Sequence, residues 1–295
     1  MRIVLSRKGF DSVSGGGPSP VLEDKTMLSL PIPELPGQGY APDNLEEVNW
    51  RKYDELAVDD DIKKHYQLSG KYCHLDPDIR PDLWRCGDNW RAAFGQCDTS
   101  GGHLKKQIFP KGSKKKEEEI LFLFWGLFQH WSNGRFTEKP FHAVWGYMVC
   151  DEVIEKQQDM PPYHPHRKLK KAPNAPNKFN NLLFIAKDEC YGTFEFCEKL
   201  VLSDLDAKPY AKTKWKIAAL PWFEYMQNSN VEMSYHPDKA KCFPEGKTYF
   251  QACKGRGQEF VVSPGVTSVS ALNWKNCSFE QILSNLKEMY PEKRK

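Results

Sequence analysis

A continuous run of apolar and aromatic residues, Ile120 to Phe128, constrains the fold more than any other segment of the chain. The run is far shorter than the roughly 20 residues of a membrane-spanning helix, and it suits a strand buried on both faces. A second apolar segment, Phe141 to Val149, predicts a partner strand. Asn133-Gly134 between them is a hairpin-type turn, in a connection that we expect to be longer than a tight hairpin. Shorter strands are predicted at residues 182–186, 193–196, 199–202 and 259–262.

These segments predict an α+β fold with a central mixed or antiparallel sheet and flanking helices. The sheet is either open or curled into a barrel, like the PUA-type folds that bind RNA and modified bases. Residues 44–70 favour one or two amphipathic helices, and Ser278 with Gln281 forms a capping box before apolar residues at helical spacing. We expect one compact domain over residues 1–295, made of an N-terminal segment (1–110), a sheet-rich core (111–265) and a C-terminal helix and tail (266–295).

The composition argues against several classes of protein. A net charge of +3 does not by itself predict nucleic-acid binding. Nine cysteines without a C-x-x-C pair, and no visible secretory signal, indicate reduced thiols in an intracellular protein, cytoplasmic or nuclear, without a membrane partner. The phosphate loop of NTPases, the dinucleotide fingerprint and the nucleophile elbow of hydrolases are all missing from the sequence. Nothing in the sequence indicates the oligomeric state.

Charged and polar residues gather at the end of the first apolar strand. They are Ser6, Arg7, Lys8 and Asp11, and glycines 15–17 follow shortly after. Because a phosphate needs cationic donors and free backbone amides, this segment predicts an anion or nucleotide pocket, with Asp11 as general base or metal ligand. The alternative is a surface loop with a local Arg–Asp pair.

A second cluster is formed by His74, Asp76 and Asp78, which alternate and would face one side of an extended segment. An imidazole and carboxylates could bind Fe, Mn or Mg, or perform acid–base chemistry without a metal. His-x-Asp is also part of the facial triad of non-haem iron oxygenases, for which a distant histidine, such as His164 or His166, would supply the third ligand. The alternative is a turn, since Asp-Pro-Asp is favourable turn sequence.

Gln96, His103 and Gln107 are candidate substrate-binding residues. Their side chains could read a base edge or orient a substrate, or they are incidental polar groups on a helix and loop. A base-stacking platform is a further possibility, although most aromatic residues should be core and Trp131 is the one that we expect to be exposed. Its candidates are Trp125, Phe128, Trp131, Trp145, Tyr147, Trp215 and Trp222.

His164, His166 and Arg167 belong to a polar, proline-rich segment at 155–180. We expect an exposed loop there that contacts phosphate or is a solvated run of charge.

Taken in order, several short motifs resemble the third nucleotide-modification-associated domain family, over roughly residues 1–265. The motifs are SRKGFD at 6–11, GGPSP at 16–20, HLDPD at 74–78, AFGQ at 93–96, HL at 103–104, LFLF at 121–124, FH at 141–142, GY at 146–147, HPH at 164–166 and LPWF at 220–223. The chain departs from the family pattern at 97–102 and in the lysine-rich stretch before Ile120. The family is associated, by genomic context in phages and bacteria, with modification of DNA bases. The resemblance implies site residues among the candidates above: Arg7, Lys8, Asp11, His74, Asp76, Asp78, Gln96, His103, His164 and His166.

Three functional hypotheses follow. The first is an enzyme that acts on a nucleotide or on a base in DNA or RNA, with Asp11, His74, Asp76 and Asp78 catalytic. The second is a non-catalytic, PUA-like reader of modified or flipped bases. The third is an iron-dependent oxygenase with metal at His74 and Asp76. The acidic residues favour the enzyme.

Overall fold

The computed structural model of this chain describes residues 2–45, 50–83, 89–109, 119–171 and 179–216, and short stretches at 231–233, 249–251, 259–262, 281–282 and 284. The predicted C-terminal helix lies mostly outside these residues. Of that helix, 281, 282 and 284 are described as helical, and Ile282 is buried. The LPWF motif at 220–223 also lies outside the described residues.

A mixed sheet of eight strands forms the centre of the described structure. Its strands are β1 (Arg2–Arg7), β2 (Ser19–Val21), β6 (Ala93–Cys97), β7 (Ile120–Ser132), β8 (Arg135–Ile154), β9 (Asn181–Thr193), β11 (Val231–Met233) and β13 (Glu259–Val262). The order is β11-β13-β1-β7-β8-β9-β6, and β2 also pairs with β7. Strands β1 and β2 run parallel to β7, and the other pairs are antiparallel.

Smaller elements surround this sheet. A three-stranded antiparallel sheet has the order β3-β5-β4, with β3 at Ile32–Glu34, β4 at Arg51–Lys52 and β5 at Tyr72–His74. Strands β10 (Lys214–Lys216) and β12 (Tyr249–Gln251) form a two-stranded sheet. The helices are α1 (Asp60–His65) and α2 (Asp98–Ile108), and short 3-10 turns lie at Tyr53–Glu55, Gln157–Asp159, Pro165–Lys168 and Glu198–Leu200.

The apolar run at 120–128 is buried along its whole length, as its sequence predicts. Every residue from Ile120 to Phe128 is buried, because β1 and β8 flank β7 and side chains from both faces enter the main core. A second apolar cluster, which includes Phe10, Tyr53 and Ile62, lies under the small β3-β5-β4 sheet. The two sheets approach each other near the end of β1, where the candidate site lies.

The β7–β8 connection is tighter than we expected. Strand β7 ends at Ser132 and β8 begins at Arg135, so Asn133 and Gly134 alone make the turn. Both residues have positive φ, 51° and 73°, as a type I′ hairpin requires. The expectation of a longer connection was wrong because the strands continue through polar positions, which the apolar pattern could not show.

Several other expectations are corrected or confirmed. The mixed sheet and the α+β class are confirmed, and in the described residues the sheet is open, with β11 and β6 at its edges and no closed barrel. The strand predicted at 199–202 is wrong, since Glu198–Leu200 is a 3-10 turn, and residues 44–70 hold one short helix in their described part. No helix in the described part of the chain is both long and apolar enough to cross a membrane.

Candidate functional site

Five side chains from three segments converge between the two sheets: Lys8, His74, Asp76, His164 and His166. We call this set the Asp76 site. Lys8 follows β1, His74 ends β5, Asp76 lies in the next loop, and His164 and His166 belong to the turn at Pro165–Lys168. One ligand-type atom from each of His74, Asp76 and His166 lies within 4.8 Å of the other two.

Backbone register places Asp76 against β6. Asp78 and Ala93 form an antiparallel bridge, with N–H···O distances of 2.8 and 2.9 Å. In an antiparallel pair the residues two positions out, Asp76 and Gly95, therefore face each other. The Gly95 amide donates to Asp76 Oδ1 at 2.6 Å, so the carboxylate is fixed by the sheet itself.

Asp76 is held as a carboxylate in a buried setting. Its side chain is 7% exposed, and Lys8 Nζ donates to Oδ2 at 2.8 Å. Burial alone would raise the pKa of Asp76, but the Lys8 ammonium and the neighbouring imidazoles more than offset it, so the pKa is lowered. Lys8 has two further contacts, with the Gly95 carbonyl at 3.3 Å and above the Phe94 ring at 4.3 Å.

His166 is oriented by Asn181 of β9. The Asn181 amide group donates from Nδ2 to the His166 carbonyl at 2.8 Å, so its Oδ1 faces His166 Nδ1, 2.6 Å away. Nδ1 therefore carries the proton, and Nε2, 3.9 Å from Asp76 Oδ2, has the free lone pair. Burial, partly opposed by the attraction of Asp76, lowers the pKa of His166 to about 4.

Gly95 is required by the close approach of His166. A methyl group built on Gly95 would overlap the His166 imidazole ring. A side chain at this position would displace either the β6 backbone, which binds Asp76, or the ring itself.

His74 is oriented in the same way as His166, by an acceptor on its far side. Its Nδ1 lies 3.0 Å from Glu34 Oε1 on β3, and a carboxylate only accepts, so Nδ1 donates. The other nitrogen, Nε2, is buried and has no hydrogen-bond partner within the described part of the chain. The His74 and His166 rings lie 5.4 Å apart.

His164 presents the opposite tautomer. Its Nδ1 accepts from the His166 backbone amide at 3.3 Å, so a neutral ring carries its proton on Nε2. That Nε2 is buried and has no partner among the described residues. Burial, and the neighbouring His166, lower the pKa of His164 well below its usual value. The site thus combines imidazole acceptors with one imidazole donor.

A pocket opens beside Asp76. It holds about 340 Å³ of free space, part of it open to solvent, and its lining includes Gly9, Asp76, Asp78, Arg80 and Trp145. Asp76 and Asp78 thus line one pocket, but Asp78 also accepts from Trp90 Nε1 at 2.8 Å and is 3% exposed.

The remaining N-terminal candidates lie away from Asp76. Arg7 pairs with Asp11, whose Oδ1 also accepts from the amides of Val13 and Ser14 at 2.6 and 2.7 Å. The Arg7 guanidinium lies 5.8 Å from the ring of the buried Trp125. We had expected Arg7 and Lys8 to face one ligand together. Consecutive residues of an extended strand point to opposite faces, and the two side chains pair with different carboxylates, Arg7 with Asp11 and Lys8 with Asp76. Ser6 is buried within β1.

The other predicted substrate-binding residues are spread over nearby elements. Gln96 Oε1 accepts from the adjacent Cys97 amide at 3.2 Å. His103 and Gln107 are half-buried on α2. Arg167 donates to the carbonyls of Gln158, at 2.9 Å, and Met160. The roles of these four residues in substrate binding stay predictions.

One family model matches the chain, that of "Nucleotide modification associated domain 3", over residues 2–263. The chain belongs to this family. No curated protein and no solved structure gives a significant match.

In this member of the family, Glu34, Gly95 and Asn181 complete the site, and the sequence had not pointed to them as such. Glu34 and Asn181 orient the two imidazoles, and Gly95 binds Asp76. The expectation of an exposed loop at 155–180 was also wrong for the two histidines, which are 1% and 2% exposed. The Pro165 between them begins a 3-10 turn that turns both rings inward.

Proposed function

We propose that this chain is an enzyme that modifies a nucleotide or a nucleobase, and that the reaction takes place at the Asp76 site. Membership of a nucleotide-modification family supports the substrate class. The convergence of Lys8, His74, Asp76 and His166 from three distant segments carries the assignment of the site, because perturbed titratable groups that gather beside a pocket are typical of active sites.

The arrangement suits acid–base chemistry on a polar substrate. Because Nδ1 of each ring donates to an acceptor on its far side, the Nε2 atoms of His74 and His166 can accept a proton from a hydroxyl, amine or water. His164 offers an N–H that can donate to a substrate oxygen or nitrogen. Asp76 stays ionised and stabilises an imidazolium that forms on His166, while the Lys8 ammonium can balance negative charge on a phosphate or a reacting group.

The reader hypothesis has no comparable support. Trp222 lies outside the described residues, and the other aromatic candidates are all buried, at 7% exposure or less: Trp125, Phe128, Trp131, Trp145, Tyr147 and Trp215. The expectation of an exposed Trp131 was therefore wrong. The buried candidates are unsuited to stacking a base without rearrangement, and none of the described contacts favours a role as a cage.

Mass spectrometry of nucleosides and free nucleotides tests the proposal. Wild type, Asp76→Asn and Asp206→Asn are expressed to equal soluble levels in a host without the family. Asp206 also pairs with a lysine, Lys216, at 3.9 Å, but its side chain is 94% exposed, so Asp206→Asn is the matched control. We expect a modified species with wild type and the control and none with Asp76→Asn. Equal product from Asp76→Asn contradicts the proposal.

A further inference from the structure

Two histidines of the Asp76 site are held in the way that metal-ligating histidines are. His74 Nδ1 donates to Glu34 and His166 Nδ1 donates to Asn181, so both Nε2 atoms keep their lone pairs. Proteins commonly fix the tautomer and orientation of a metal ligand with such an acceptor on the far nitrogen. His74 Nε2 is buried and has no other partner in the described residues.

The Asp76 carboxylate, and the distances between the ligand atoms of the three side chains, also suit the binding of a metal ion. Ligand atoms about 2.1 Å from one ion lie at most about 4.2 Å apart. His166 Nε2 and Asp76 Oδ2 are 3.9 Å apart, and the three ligand atoms lie within 4.8 Å of one another. A shift of less than about an ångström, within the reach of side-chain rotation, would bring all three onto one ion.

We propose that His74, His166 and Asp76 bind one divalent first-row transition-metal ion. Two imidazoles and one carboxylate suit Fe, Mn, Co or Zn, whereas Mg and Ca prefer oxygen ligands throughout. Three protein ligands leave coordination positions open, and Asp76 lines the pocket, so a substrate in the pocket can reach the ion. This inference rests on the proposed function, because it assigns an ion to the same site. With the ion bound, the Nε2 lone pairs of His74 and His166 bind the ion and no longer accept a proton, so this role replaces the one described for them above.

Lys8 is the competitor of the ion. Its ammonium lies 2.8 Å from Asp76 Oδ2, where a metal would bind, and two cations cannot share that oxygen without strong repulsion. The Gly95 carbonyl and the Phe94 ring give the ammonium two other partners. We therefore expect Lys8 to withdraw from Oδ2 when the ion binds, and its removal to strengthen metal binding.

His164 is not a ligand in this arrangement. Its Nδ1 accepts a hydrogen bond, so Nε2 carries the proton of the neutral ring. A ring that used both lone pairs would have to be an anion. His164 instead presents an N–H donor beside the ion, suited to a water or substrate atom in an open position.

Titration of the metal-stripped full-length protein with Co²⁺, followed by visible absorption and calorimetry, tests the proposal. Zn²⁺, Mn²⁺ and, without oxygen, Fe²⁺ are then titrated in the same way. We expect one ion per chain. His74→Gln and His166→Gln should each weaken Co²⁺ binding by about 100-fold or more, and Glu34→Gln by about tenfold. Lys8→Met should strengthen binding by about tenfold.

The matched control is His142→Gln, which changes another buried histidine. His142 is 4% exposed and its Nδ1 accepts from Trp215 Nε1 at 3.0 Å, so it lies outside the ligand set and should leave Co²⁺ affinity unchanged. If the ligand variants fail to fold, X-ray absorption of the cobalt-loaded wild type replaces them, with two imidazoles in the coordination shell as the expected result.

The proposal is overturned if wild type binds none of the four ions stoichiometrically, or if binding survives both His74→Gln and His166→Gln. An X-ray absorption spectrum of the cobalt-loaded protein that shows no imidazole ligands overturns the proposal as well. Such a failure differs from failure of the proposed function. A protein that binds no metal but modifies nucleotides in an Asp76-dependent way loses only the ion, whereas a metal-binding protein without that activity loses the function.

Discussion

Arg7 and Lys8 are neighbours in sequence, yet their side chains lie in very different surroundings. Arg7 pairs with Asp11, four residues away, and the same carboxylate caps the amides of Val13 and Ser14. Lys8 pairs with Asp76, 68 residues away, beside His74 and His164, whose Nε2 atoms have no hydrogen-bond partner in the described residues. The Arg7–Asp11 ion pair is local in sequence, whereas the Lys8–Asp76 pair joins segments that are distant in sequence.

We propose that the difference separates a structural ion pair from a functional one. Asp11 uses its oxygens to hold its own loop, whereas the Asp76 site leaves buried imidazole nitrogens unsatisfied. An unsatisfied buried polar atom costs free energy, and a fold retains such atoms where a ligand supplies the missing partner. The comparison predicts large effects on the Lys8 side and small ones on the Arg7 side.

The largest effect on stability should come from Asp76→Asn. The change leaves the buried Lys8 ammonium without its counter-charge, which costs about 3 kcal/mol of unfolding free energy. Urea unfolding at pH 7 measures the loss, and Asp206→Asn should lose less than about 0.5 kcal/mol. Equal losses in the two variants would show that the Lys8–Asp76 pair behaves like an exposed one.

Gly95→Ala should cause the second-largest loss of stability. The added methyl group overlaps the His166 ring, and overpacking of this kind costs about 2 kcal/mol. Gly192→Ala is the control, because its new methyl group would lie at ordinary contact distances, 3.4 Å or more from Tyr147. Thermal unfolding of both variants checks the prediction, and the idea of a tight approach fails if they melt alike.

His142, which lies near Arg7, should give a pH effect of intermediate size. Burial, together with Arg7 and Lys212, lowers the pKa of His142 well below its usual value. The unfolded chain, with a histidine pKa of about 6.5, therefore binds more protons than the folded one below that pH. Its contribution to stability is complete above about pH 6.5 and falls on acidification, by up to about 1.4 kcal/mol per pH unit.

Unfolding of wild type and His142→Gln between pH 7 and 5 measures this contribution. His164 and His166 act in the same direction in both proteins, since their pKa values are lowered too, so the difference in slope isolates His142. As the pH falls, the free energy of unfolding should decrease less steeply in the variant than in wild type. Parallel curves of unfolding free energy against pH would contradict a buried neutral His142.

The smallest effect should come from Asp11→Asn. Arg7 and Asp11 are 19% and 12% exposed, and asparagine keeps an oxygen for the Val13 and Ser14 amides. We expect a loss of about 1 kcal/mol or less, measured by urea unfolding. The catalytic role predicted for Asp11 from the sequence is tested by the same variant in the nucleoside assay. Loss of the product in Asp11→Asn together with its retention in Asp76→Asn would reverse the comparison.

The sequence predicts the local parts of this picture and misses the convergent ones. The strand at 120–128 and the grouping of His74 with Asp76 can be predicted, because apolar runs and His-x-Asp spacing are local patterns. The sequence offers His166 as a possible metal ligand that is distant from His74 and Asp76 along the chain. No local pattern shows that β9 brings Asn181 into contact with it. Glu34 was missed because its role depends on the β3–β5 register, which only the folded sheet defines.

Hydrogen exchange of the intact protein, with and without ligand, tests the central claim most directly. The ligands are a panel of nucleosides, nucleotides and short DNA and RNA strands. If the Asp76 site is where this chain acts, at least one member should slow exchange at residues 72–78, 93–97 and 163–168 together. Protection confined to the Arg7–Asp11 loop, or the absence of protection with every member of the panel, would contradict the account.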